Sequence, residues 1–88
     1  MVYIVNYDIK SEERKDAFLN AAKTMGDVQQ YLPHALFVDS KQEQRVVYEE
    51  LKKMTNEDDL FVVVSAPLSN MLGWLTSSVV DWLKLHNS

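Results

Sequence analysis

The stretch Val2-Tyr3-Ile4-Val5-Asn6-Tyr7-Asp8-Ile9 decides how this chain folds. It is β-branched and aromatic almost throughout. In a strand the side chains alternate, so Val2, Ile4, Asn6 and Asp8 face one way and Tyr3, Val5, Tyr7 and Ile9 the other. A segment that is apolar on both sides belongs in the interior of a sheet covered on both faces. Asp8, its only carboxylate, is then delivered to the point where the strand ends.

Working outward, Ser11 is the expected N-cap of a helix, with Glu12 and Glu13 in the first turn where the helix dipole favours negative charge. Ala17, Phe18, Ala21, Ala22 and Met25 recur at helical spacing and predict one apolar stripe. Gly26-Asp27 is expected to stop this helix, Gly26 taking the left-handed position after the last turn. A hairpin follows. Its first arm, Val28 to Leu32, is polar and ends at Pro33-His34, as suits a sheet edge. Its second arm, Ala35 to Asp39, is apolar on both faces and predicts a central strand. Ser40-Lys41-Gln42-Glu43 reads as a capping box opening a second helix, with Val47, Leu51 and Met54 inward and Tyr48 beside them. After the polar turn Thr55 to Asp59, Leu60 to Val64 is a third β run, closed by Ser65-Ala66-Pro67.

Strand, helix, strand, strand, helix, strand predicts an α+β fold: a ferredoxin-like βαββαβ antiparallel sheet with both helices on one face. One domain is expected over residues 1–88, with the βαββαβ core in 1–67 and a C-terminal helical extension in 68–88. In that extension residues 68–75 read as a short turn. Ser78-Val79-Val80-Asp81 then reads as a second cap, with Ser78 at the N-cap, opening a final helix through His86. Met71, Leu72, Trp74, Leu75, Val79, Trp82 and Leu83 are too many large apolar groups to leave in water. Either this helix folds over the second sheet face, or a second copy of the chain covers it. Trp74 and Trp82 are therefore the interface candidates.

Composition narrows the function classes. The chain has 88 residues, a formal net charge of −4, and only nine Lys and Arg. Broad phosphate neutralisation calls for a basic protein, so a nucleic-acid role would need a local patch. Zero cysteines exclude a disulfide framework, a thiolate zinc site and a cysteine nucleophile, and fit a reducing cytoplasm. The N-terminus lacks the basic region of a signal peptide, and no apolar run is long enough to span a bilayer, so no membrane partner is expected. With Gly26 and Gly73 the only glycines, a P-loop or dinucleotide-binding loop is excluded.

Several short motifs occur together: Asn6-Tyr7-Asp8, Tyr31-Leu32, Asp58-Asp59-Leu60-Phe61-Val62, Gly73-Trp74-Leu75 and Asp81-Trp82-Leu83-Lys84. In this set the chain resembles a small bacterial and phage family labelled "SinR-like". That label implies a transcription regulator, but strands separate the helices and leave no helix-turn-helix. Through its strand order and the strand ending in Tyr7-Asp8, the chain also resembles the CRISPR-associated "Cas two" ribonuclease-like group. That resemblance implies a homodimer in which aspartates from two copies hold Mg2+ or Mn2+ for phosphodiester cleavage. Only Asp8 carries over by position. The group usually ends in a further strand and is richer in arginine, where this chain ends in a tryptophan-bearing helix.

The antiparallel sheet is expected to bring His34 and Asp58 or Asp59 towards Asp8. Asp8 is then the candidate catalytic residue, Asp8 and Asp59 the candidate metal ligands, and Lys10, Arg14 and Lys15 the candidate nucleic-acid contacts. Such an ion needs hard oxygen ligands, which carboxylates supply. Within this reading the chain is either such a metal-dependent nuclease or a catalytically inactive relative; the alternative is a non-catalytic acidic module that binds a partner protein, in phage–host conflict for instance. Each residue also has a structural role open to it: Asp8 as a cap on the strand-to-helix turn, Asp58 and Asp59 as turn residues, the three cations as a solvated helix face.

Overall fold

The computed structural model of the chain describes residues 1–65 and 72–86. It contains, in order, β1 (Val2–Asp8), α1 (Glu12–Met25), β2 (Gly26–Leu32), β3 (Ala35–Ser40), α2 (Gln44–Lys52), β4 (Leu60–Ser65) and α3 (Ser77–Leu85). The four strands form one sheet in the order β2-β3-β1-β4, with every neighbouring pair antiparallel. Thus β1 runs parallel to β2 with β3 between them, and β3 parallel to β4 with β1 between them. Each of α1 and α2 crosses over one intervening strand.

β1 is central because it can pack on both sides. Tyr3, Val5 and Tyr7 enter a core with Leu36 and Val38 of β3, Phe18 and Ala22 of α1, and Val47 and Leu51 of α2. On the opposite face, Val2 and Phe37 are buried against Val79 and Trp82 of α3, with Ile4 and Tyr31 at the margin. So α3 lies on its own chain's sheet. It covers the end of that face near Val2 and leaves Leu60 and Val62 exposed at the other end.

Three local expectations are corrected. Gly26 is not a left-handed helix stop; it is extended, with φ 176° and ψ −168°, and begins β2. Its missing side chain serves a close approach, because a Cβ there would lie 2.0 Å from the Asp39 carbonyl oxygen across the ladder. Ser40 does not cap α2. It ends β3, where its hydroxyl donates to the Met25 carbonyl at 2.8 Å and accepts from the Gln42 N–H at 3.0 Å. The helix instead begins after Glu43, whose side chain makes no cap bond. The last helix starts two residues earlier than expected, its N-cap being Thr76 and not Ser78, and it ends at Leu85 with His86 as the C-cap. Ser11, by contrast, accepts from the Arg14 N–H at 3.3 Å as an N-cap. The expected strand end at Ala66-Pro67 and the part of the turn through Met71 lie outside the described residues. Leu72 and Trp74, expected to be buried, are fully exposed.

Candidate functional site at the end of the first strand

Where β1 ends, Asp8 pairs in register with Leu60 of β4 and Asn6 with Ala35 of β3. The β2–β3 hairpin is fastened beside them: the Tyr7 N–H donates to the His34 carbonyl at 3.0 Å, and the Gln30 amide to the Pro33 carbonyl at 3.1 Å. Together these elements line an open groove of about 630 Å3 that includes Asn6, Asp8, Pro33, His34, Leu60 and Val62. Its walls are almost wholly apolar, and the Asp8 carboxylate stands at its rim.

Asp8 is about half exposed, and the Lys10 ammonium donates to its Oδ2 at 2.7 Å. That hydrogen bond, and the charge behind it, raise the Lys10 pKa. The His34 ring meets Tyr7 edge-on, with centroids 6.0 Å apart, at the same end of the sheet.

Asp59 sits in a different environment. Its side chain is fully buried. Oδ2 accepts from Arg14 Nε at 2.8 Å and from the Asn56 N–H at 3.0 Å, while Oδ1 accepts from Arg14 Nη2 at 3.1 Å and from the Lys10 N–H at 2.9 Å. The guanidinium bond, ahead of the backbone donors, holds this carboxyl well below the usual range. Four donors thus fix Asp59 as the tie between the start of α1 and the turn before β4. They leave little of its lone-pair capacity for an ion.

The three candidate phosphate contacts are also engaged. Lys10 pairs with Asp8, Arg14 with Asp59, and Lys15 with Glu12 at 3.3 Å. Among the described residues, no group of three or more His, Asp or Glu side chains is placed to hold a metal ion. One chain therefore does not fit a Mg2+ or Mn2+ site by itself: Asp8 offers one carboxylate, and Asp59 is committed to arginine. Of the interface candidates, Trp82 is buried under α3, whereas Trp74 stands in solvent.

One polar cluster escaped sequence reasoning altogether. At the far end of the sheet, His86 lies between Asp27 of β2, 2.7 Å from Nε2, and Asp39 of β3, 2.5 Å from Nδ1. Nothing in the local pattern around His86 marks it, because both partners are distant in sequence.

No family model matches this chain, and no curated protein matches it. Among solved structures it is similar to the hypothetical protein TT1823 from Thermus thermophilus. The two share 18% identity with a TM-score of 0.62, over 85% of this chain and 93% of that one. At that identity the likeness is one of fold: an α+β arrangement on a four-stranded antiparallel sheet. No described helix is long and apolar enough to cross a membrane.

Proposed function

We propose that this chain is a ferredoxin-like, homodimeric, nucleic-acid-associated protein of the kind found in the CRISPR-associated "Cas two" group, working in the cytoplasm. In this reading each copy contributes Asp8 to a shared divalent-metal site for phosphodiester cleavage. One observation carries the reading. The part of the sheet that α3 leaves uncovered is the part with Asp8 at its rim, and its walls are apolar. An apolar surface of this kind favours burial against a partner. A second copy set over it by a twofold axis would bring two Asp8 carboxylates to one place, as a hard cation requires. The ion would supply positive charge at the phosphate; Lys10 would have to release Asp8 as the ion enters.

The experiment is cleavage of short single- and double-stranded RNA and DNA with Mg2+ or Mn2+. Parent protein is expected to cleave at least one of these substrates. Asp8→Ala is expected to lose that activity at least 100-fold while its circular dichroism spectrum is unchanged. Equal cleavage by the two proteins would end the assignment of Asp8.

A specific observation favours a second reading, a non-catalytic acidic module that binds a partner protein. Each of the three cations nearest the site is already paired with a carboxylate, and Asp59 is closed to further ligands. If parent protein neither cleaves nor takes up Mn2+ in calorimetry, this second reading replaces the first.

A further inference from the structure

The contact that holds α3 on the sheet can exist in full in only one protonation state. α3 has nine residues, Ser77–Leu85, too few to be a stable helix unsupported. Its docking rests on Val79 and Trp82 against Val2 and Phe37. An aromatic column runs through the contact: Tyr31 on Phe37 at 4.1 Å, Phe37 on Trp82 at 6.0 Å, and Trp82 on the His86 ring at 4.0 Å. Docking also has a cost, because among the described residues the buried Trp82 Nε1–H finds no acceptor.

At the end of that column both nitrogens of His86 touch carboxylate oxygens. A neutral imidazole has one N–H, so it can donate to Asp27 or to Asp39 but not to both. Its other nitrogen would then present a lone pair to an anion. The imidazolium has two N–H groups and satisfies both carboxylates, and its charge also sits against the face of Trp82. The groups facing the ring are Asp27 from β2 and Asp39 from β3, with Trp82 from its own helix. The Met1 ammonium, just ahead of β1, lies on the far side of Asp39 and bonds its Oδ1 at 3.1 Å. Burial acts to raise the Asp39 pKa, but the hydrogen bonds and charges of His86 and Met1 bring it below its ordinary value. Asp39 thus stays ionised across the range in which histidine titrates.

We infer that His86 is a proton-operated latch: as imidazolium it clamps α3 across β2 and β3, and on losing its proton it releases one strand and loosens the helix. The sign follows from the geometry. Docking is complete while both ring nitrogens carry a proton, and it weakens as rising pH removes one. Loosening would uncover Val2, Ile4, Tyr31 and Phe37, which adjoin the Asp8 groove on the same sheet face. Proton loss therefore enlarges the apolar surface on offer. The latch does not depend on Asp8 binding metal.

The test uses full-length chain carrying Trp74→Phe, which leaves Trp82 as the only tryptophan, with emission recorded between about pH 5.5 and about pH 8.5. The expected result is blue-shifted emission at low pH that moves red through one transition. Adding His86→Gln should abolish the transition. Adding His86→Arg, a permanent cation with several donors, should keep the emission blue throughout. Flat emission in the His86 protein would overturn the inference. So would a transition that survives in either variant, since it would then belong to His34 or to another group.

Discussion

At Asp59 a buried carboxylate receives four hydrogen bonds, two of them from one arginine fork. A charge so placed is tolerable only while it is ionised and paired. Because its folded-state pKa lies below the ordinary value, its contribution is complete above about pH 4 and is lost as pH falls below that. Asp59→Asn, which keeps the shape and removes the charge, is expected to lower the melting temperature at neutral pH by about 5 °C or more. It should also flatten the fall in stability on the acid side of about pH 4. Identical acid limbs for variant and parent would show that the Arg14 pair is not what fastens α1 to the β4 turn. The sequence suggested Asp59 as a metal ligand because it is acidic and near the start of β4. Its actual partner is Arg14, 45 residues away, and no local pattern announces a pairing of that range. Asp8 differs: its position at the end of an apolar strand already placed it at an open rim.

Among the elements, the strands were legible because burial imposes a period of two and the helices because it imposes one of 3.6. β3 is buried along nearly its whole length while the polar β2 takes the edge, each as its composition requires. Helix and strand ends were less legible, since one residue type can serve two geometries. Ser40 can cap a helix or close a strand, and here the Met25 carbonyl and the Gln42 N–H claim it. Gly26 can take a left-handed turn or admit a neighbouring backbone, and here it does the second. Gly26→Ala would drive a methyl group into the Asp39 carbonyl, opening the β2–β3 ladder where it begins. Overpacking of this kind is expected to cost about 1–3 kcal/mol, read as a lower urea midpoint with an unchanged slope. A midpoint equal to the parent's would mean the ladder gives way locally at no cost. The same opening would shift Asp27 and Asp39, the two carboxylates beneath His86.

For the whole molecule, the sheet's two faces have different fates. One is sealed by α1 and α2. The other is shared between α3 and an uncovered apolar end that carries Asp8. That division was only half legible: the sequence showed that something must cover the second face, but a nine-residue helix does not advertise how far it reaches. The proposed function requires a second copy at the uncovered end, since one chain brings a single available carboxylate to the groove. Light scattering of the eluting peak on a size-exclusion column measures this most directly. The account predicts a mass twice that of the 10.2 kDa chain, whereas a peak that holds the single-chain mass at every concentration would contradict it.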